Sequence, residues 1–566
     1  MLIEIVDVTQ RIDEAVTNKT DAEAAAKQRQ AAFNAIESES FDKTGLRSDV
    51  VTLFGGAQYH LYRYKKYTDV RLVWAPETAA AFFGGDADNF EYPRYNLDAT
   101  LMRVYENDKP AVIDHFLEWS SKPVAENDLV FVSGHPGRTQ RIFTVEALEY
   151  LRDHRLPFVL DYLRRKEILL QQYRLESEEA ARRGRDELFG IQNARKAYTG
   201  MLAGLQDPQT IADRRRVQDR LIAAAGANPD LNPLTQAWQE IAEIQQEKAA
   251  QLSRSVSLRS DVFQYALSIL LLAQEDQKPN ADRLAEYTDA SRDSLLTRLT
   301  SEAPLYDDLQ RIELADEIAL LLERRGMSDP LVVEVLAGRS PQQVAAEIID
   351  GTSVDEFAKR RELIEGEPDL VFGSDDPAMR LARLMEPEYR RLRLIDDRLS
   401  EREKQAYAKI ARVTTEIEGT TGYPDATFTL RLAFGTVKGY PENGSFVKPT
   451  TDFAGAFEHA AEHQGQEDFE LPESWMRAKQ EGKIDLSTQL NFVCTADIIG
   501  GNSGSPVVDR GGALVGLIFD GNIQSLTSDY LYTDQQARAV SVSGVGIRQA
   551  LEAIYNAKDL ADQLGK

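Results

Sequence analysis

From about Thr144 to Glu418 the chain consists almost wholly of long, charged, amphipathic stretches, and on both sides the pattern turns to short β-rich runs. Glu149 to Arg174, Pro233 to Gln251 and Glu386 to Ile417 carry apolar residues at helical spacing with few breakers, so helices are predicted there. Ahead of them, Val50–Phe54, Tyr59–Tyr64, Val70–Trp74, Thr100–Tyr105 and Leu129–Ser133 read as antiparallel strands of a barrel or sandwich. Turn clusters at Gly55-Gly56, Gly84-Gly85 and Glu106 to Pro110 separate these strands. Beyond Gly422-Tyr423-Pro424, strand character returns in Thr427–Phe434, Phe492–Ala496, Pro506–Val508 and Leu514–Phe519, and a terminal helix is predicted over Ile547–Leu564. Met1 to Val8 reads as a strand and Arg11 to Glu39 as a helix or two. The layout predicts a mixed β and α fold with three parts: a β segment over 1–143, a helical insertion over 144–420 and a second β segment over 421–566.

Bulk numbers remove several function classes. The 566 residues are 42% apolar and 28% charged, the profile of a globular protein with ample core. Lys and Arg number 66 against 92 Asp and Glu, a formal charge of −26, which argues against nucleic acid as a partner because no basic footprint is available to displace counterions. The apolar run Ala266 to Ala273, interrupted by Ser268, is too short to span a bilayer. The single cysteine, Cys494, cannot form an internal disulfide and leaves the redox compartment open. Glu4 and Asp7 stand where a signal peptide needs basic residues, so the chain reads as starting inside a domain.

The hexapeptide Gly501-Asn502-Ser503-Gly504-Ser505-Pro506 lies between two apolar runs and carries the chemistry. A serine between glycines, followed by Pro506-Val507-Val508, a Gly511-Gly512 turn and a return strand, is how a trypsin-type nucleophile is presented. Glycines let the backbone take positive φ, so the hydroxyl sits open to a carbonyl carbon. The N–H groups of Gly501 and Ser503 would form the oxyanion hole. A base and a group that orients it are also needed. The polar-rich segment Phe82 to Asp98 offers Asp86, Asp88 and Asp98 as orienting acids, and the residues alone do not choose among them.

Two long motifs, Phe83 to Asp98 with Leu101 to Asn107, and Ile498 to Pro506 with Leu517 to Asn522, resemble the bacterial dipeptidyl peptidase 7 and 11 family of serine exopeptidases. The likeness runs the whole length, through the helical part and into Arg538 to Val542. It implies a chymotrypsin-like double β-barrel with a large helical domain inserted between the barrels. It also implies Ser503 as nucleophile and Asp98 as the acid behind the catalytic histidine. By position, Asn89 and Asp520 match residues that hold the substrate's ammonium, Phe90 matches an aromatic beside them, and Asn193 gives a looser match to a third amine-binding residue. The physics agrees, because an exopeptidase that counts two residues must anchor an α-amine that is protonated at neutral pH. Gly521 occupies the position where an arginine accompanies acidic specificity. An uncharged, roomy pocket there predicts apolar side chains before the scissile bond.

None of the six histidines (His60, His115, His135, His154, His459 and His463) lies in the family's catalytic-histidine motif. His135-Pro136-Gly137 resembles a family turn. The expectation is therefore a family member without its histidine segment, with little or no activity on its own. A non-catalytic remnant that binds peptides or partners is the alternative. Oligopeptides with a free N-terminus are the implied partners, with no cofactor, and a homodimer and periplasmic or secreted location are implied by the family. His459-Ala460-Ala461-Glu462-His463 fits the H-x-x-E-H pattern of inverted zincins, which makes a zinc peptidase a remote alternative. A solvated helix face with nothing apolar to bury it is the preferred reading, and no metal ligand is assigned.

Overall fold

A computed structural model describes residues 1–17, 21–255, 257–419 and 425–565. The chain is a mixed α and β protein made of two compact units. The first comprises Met1–Lys66, Thr144–Leu188 and Arg215–Gly422, and the second Tyr67–Phe143, Phe189–Arg214 and Tyr423–Lys566.

In the first unit the predicted helices form, and the longest, Pro377–Glu418, shows why. Asp376 caps it by accepting from Ala378 and Met379 N–H, Pro377 pre-sets the first turn, and Gly419 at φ +84° ends it. Ala378, Met379, Leu381, Ala382 and Met385 fall on one face and are buried against Ile269, Leu272, Ile348 and Ile349. At roughly 1.5–3 kcal/mol for each large apolar side chain, this burial outweighs the single interior proline, Pro387.

The N-terminal strands belong to this unit, not to a β segment running to residue 143. Leu2–Asp7, Gln58–Tyr64 and Arg47–Leu53 make a three-stranded antiparallel sheet in that order. The helix Ala22–Thr44 is tied to the long helix by Arg29, whose guanidinium makes two bonds to Glu401 at 2.9 and 2.7 Å and a third to the Tyr59 hydroxyl at 2.7 Å. A buried charge pair of this kind fixes register, because neither partner can be left alone. The compact units divide at 143/144 and also at 66/67, 188/189 and 214/215, and the expected boundary at 420/421 falls outside the described residues.

In the second unit a seven-stranded antiparallel sheet runs in the order Thr450–Asp452, Gln489–Cys494, Ala539–Ser543, Leu514–Gly521, Pro506–Val508, Leu129–Gly134, Arg431–Thr436. Leu129–Gly134, expected with the first β segment, is thus paired inside the sheet that carries Ser503. Its alternate residues Val130 and Val132 are fully buried against Val507 and Ile518, which explains the placement. The predicted strand from Thr427 starts only at Arg431. Phe428 takes φ +59° so that its N–H can reach the carbonyls of Pro136 and Gly137 at 3.0 and 2.7 Å. The predicted terminal helix is broken after Ile554 and resumes at Lys558. Among the described residues no helix is long and apolar enough to cross a membrane.

Candidate active site

The nucleophile turn leads directly into the strand Pro506–Val508, which pairs with Leu514–Gly521. Gly504 N–H donates to Ile518 carbonyl at 2.7 Å, and Ile518 N–H returns a bond to Ser505 carbonyl at 2.9 Å. Asn502 donates to Ile499 carbonyl from both its backbone and its side chain. Asn502 and Ser505 are buried while Ser503 between them is exposed, so the loop is anchored on both sides of an outward hydroxyl. Gly501 has φ +105°, and a Cβ there would stand 2.6 Å from His135 carbonyl and 2.8 Å from Gly137 N. Only glycine fits. Among the described residues the N–H groups of Gly501 and Ser503 donate to nothing, as an oxyanion hole requires. Ser503 Oγ likewise makes no hydrogen bond among them, to a histidine or to any other group.

The three candidate acids separate cleanly. Asp86 accepts from Arg195 at 2.7 Å, and Asp88 accepts from His459 Nε2 at 2.9 Å. Asp98 is exposed and accepts no hydrogen bond from the described residues, yet burial by the protein around its carboxyl raises it above the ordinary value, with Arg94 opposing and Asp520 reinforcing the shift.

The proposed amine-binding residues converge. Asn89 is buried and its Nδ2 donates to Asn193 Oδ1 at 2.9 Å, so the loosely matched Asn193 lies beside it and the Asn89 Oδ1 is left to accept. Phe90 has φ +58°, strained for an aromatic residue, and its N–H donates to Asp520 Oδ2 at 3.0 Å. Lys196 holds the same loop through the carbonyls of Asp86 and Ala87.

Sequence reasoning missed Arg94. Its guanidinium, 2% exposed, donates to Asp520 Oδ2 at 2.6 Å and to Asn96 Oδ1 at 3.1 Å. Asp520 Oδ1 accepts from its neighbour, Gly521 N–H, at 2.8 Å. Oδ2 is therefore full and Oδ1 can take one further donor. Asp520 is thus a nearly buried carboxylate paired with Arg94 that keeps one acceptor position. Gly521 also departs from expectation, because a Cβ there would meet Ser525 Oγ at 2.3 Å. The space assumed in that direction is already filled.

The H-x-x-E-H segment is not a solvated helix face. His459 packs against Phe83, Tyr95 and Phe469, and His463 stacks on Phe469 at 4.0 Å between ring centres. Cys494 is buried, which pushes its thiol up to about 11 and removes it as a nucleophile at neutral pH.

The model of the Peptidase S46 family matches residues 1–566. The chain belongs to the peptidase S46 family. Among S46 relatives, the Asp/Glu-specific dipeptidyl-peptidase of Shewanella putrefaciens is 25% identical over 92% of this chain and 77% of its own length. Dipeptidyl-peptidase 7 of Capnocytophaga gingivalis is 24% identical over 95% of this chain and 79% of its own. The solved structure of Porphyromonas endodontalis DPP11 with the dipeptide Arg-Glu superposes with a TM-score of 0.79. It covers 100% of this chain and 85% of that one at 19% identity, a likeness that shows the fold alone.

Proposed function

We propose that this chain is a serine-type dipeptidyl peptidase that takes oligopeptides by their free N-terminus and releases dipeptides. The observation that carries this is the pairing, in one compact unit, of an exposed Ser503 flanked by two undonated N–H groups with a set of amine acceptors. The Asn89 carbonyl oxygen and Asp520 Oδ1 each retain a position for an ammonium proton, and an α-amine held there sets the reach to Ser503. Ser503 attacks the second peptide carbonyl, the N–H groups of Gly501 and Ser503 take the oxyanion, and Asp98 would orient an imidazole, which none of the described residues brings to Ser503. The seven-stranded sheet is read as the second barrel of a chymotrypsin-like pair.

Ser503 Oγ has no base among the described residues, so turnover by this chain is slow. That same observation supports peptide binding without cleavage as the second reading. Dipeptidyl fluorogenic substrates separate them. Measurable release that disappears in Ser503→Ala, and that falls at least about a hundredfold when the substrate amine is acetylated, supports the enzyme. Tripeptide binding with no Ser503-dependent release supports the binder.

Apolar preference before the scissile bond rests on Gly521 and on the two nearby arginines. Arg94 is engaged by Asp520 and Asn96, and the buried Arg538 guanidinium is engaged by the carbonyls of Lys438, Gly439, Asp534 and Ala537. Neither is left for a substrate carboxylate, whose desolvation would go uncompensated. Leu, Phe or Met is expected to be cleaved at least about tenfold faster than Asp or Glu. Because the Gly521 Cβ direction is filled by Ser525, the specificity swap needs Gly521→Arg together with Ser525→Gly. Faster cleavage after Asp or Glu by the unmodified chain would sink this part of the reading.

A further inference from the structure

The hydrolytic reading leaves the histidine pair at the end of the helix Phe453–Glu462 without a role. His459, Glu462 and His463 each offer one ligand atom, and the three atoms lie within 4.8 Å of one another. What surrounds them decides which atoms are available. His459 Nε2 stands 2.9 Å from Asp88 Oδ2, and a carboxylate can only accept, so Nε2 carries a proton and, in the neutral ring that a metal requires, Nδ1 has the lone pair. That Nδ1 is 4.0 Å from Glu462 Oε2. His463 Nδ1 stands 3.0 Å from the carbonyl oxygen of His459, again an acceptor only, so Nδ1 carries a proton and Nε2 of the neutral ring has the lone pair. Each imidazole thus has one nitrogen held by an outer acceptor and the other left to ligate, the arrangement that orients metal-bound histidines.

The two imidazoles are also held by packing. Phe469 lies flat against His463 with 12° between planes, and Phe83 meets both Phe469 and His459 edge-on at 6.0 Å. Gly84 at φ +86° lets the Asp88 carboxylate fold back toward His459, because a Cβ at Gly84 would stand 2.1 Å from Asp88 Oδ2. Glu462 is 75% exposed and can swing to close the donor set.

We propose that His459, Glu462 and His463 bind a divalent zinc-class ion, with Asp88 as the outer partner of His459. Two neutral imidazoles and one carboxylate suit borderline Zn²⁺ at about 2.0–2.2 Å and leave a fourth position open. The role is to lock the loop Gly84–Phe90 against the helix Phe453–Glu462, and it stands whether or not the chain hydrolyses peptides.

The test titrates zinc chloride into the full chain against a chromophoric chelator, with His463→Gln, Glu462→Gln and Asp88→Asn beside it. One zinc per chain with sub-micromolar Kd is expected, weakened about 10–100-fold in Asp88→Asn and more in His463→Gln. Cobalt bound to the unmodified chain should show the visible bands of a four-coordinate ion, absent in His463→Gln. Zinc should slow hydrogen exchange at residues 84–90 in the unmodified chain only. No stoichiometric binding by the unmodified chain, or binding that His463→Gln leaves unchanged, overturns the proposal. Because the first outcome needs no variant, a misfolded mutant cannot rescue it.

Discussion

At the scale of single residues, Arg94 and Asp520 show how charge is arranged in the site. Both are nearly buried, and an ion pair out of water holds together because breaking it strands a charge. Arg94→Met should destabilise the second unit by about 3–5 kcal/mol, read from urea midpoints. Arg94→Met with Asp520→Asn removes both charges and should recover much of that loss; an equal or larger loss in the double variant would mean that packing, not charge, is the cause. Arg94→Lys should not substitute, since an ammonium cannot serve Asp520 and Asn96 from one planar fork. This pair also marks where the sequence runs out. Ser503 and Gly501 sit in a contiguous motif whose spacing is itself the signal, whereas Asn89 and Asp98 were singled out only by the family resemblance of their motif. Arg94 meets Asp520 across 426 residues, and no local pattern records that. Asp86, Asp88 and Asp98 look alike in a polar turn, and they part only when Arg195 and His459 arrive from distant elements.

At the scale of elements, the turn carrying Ser503 depends on a strand that the sequence places elsewhere. A Cβ on Gly134 would meet Ser505 Oγ at 2.1 Å and Asn502 Oδ1 at 2.4 Å. Gly134→Ala should therefore push the nucleophile turn away and cost about 1–3 kcal/mol, with kcat falling more than KM rises. Activity and stability unchanged in that variant would show that the turn is not supported from this strand. The segment Thr139–Ile142 is held by charge. Asp425 accepts from Thr139 Oγ1 and from Arg141 and Ile142 N–H, and Arg141 forks onto Asp497. Asp529 stands beside them, and burial pushes its carboxyl up to about 7, with Asp425 and Asp497 adding repulsion and Arg141 opposing it. An acid raised in the folded state binds more protons folded than unfolded, so its contribution is neutral below its unfolded value near 4 and turns destabilising as pH rises to about 7. Asp529→Asn should raise Tm at pH 8 and flatten its slope between pH 5 and 8; an unchanged slope would show that Asp529 ionises without penalty. The strands flanking this region were legible from β-branched runs. The central strand Ala539–Ser543 was not, because Ser541 and Ser543 are polar residues buried in it.

At the scale of the whole molecule, each unit has its own core, and the chain passes between them more than once. That interleaving is why runs of β and α character marked the elements and the change at 143/144 but not the placement of 1–66 and 189–214. The helical unit contains a buried charge network in which Lys166 Nζ donates to Glu313 at 2.8 Å and lies 3.5 Å from Glu317. Burial raises Glu317 and pushes Glu187 up to about 8, with the repulsion of Glu313 adding to the shift at Glu187 and Lys166 opposing both shifts. Lys166→Met removes the one cation that faces these acids among the described residues, in a chain already at −26. A loss of about 3–5 kcal/mol is expected at pH 8, shrinking toward pH 5 as the stranded acids take up protons. The site of the loss can be read as well as its size. Of the four tryptophans, Trp238 lies in the first unit and Trp74, Trp119 and Trp475 in the second, whereas most of the long helices lie in the first. Urea unfolding followed by far-UV circular dichroism should therefore shift to lower midpoint in Lys166→Met. Tryptophan fluorescence, weighted to the second unit, should move much less. Coincident shifts in both signals would show that the two units unfold as one cooperative body, and the argument from separate cores would fail.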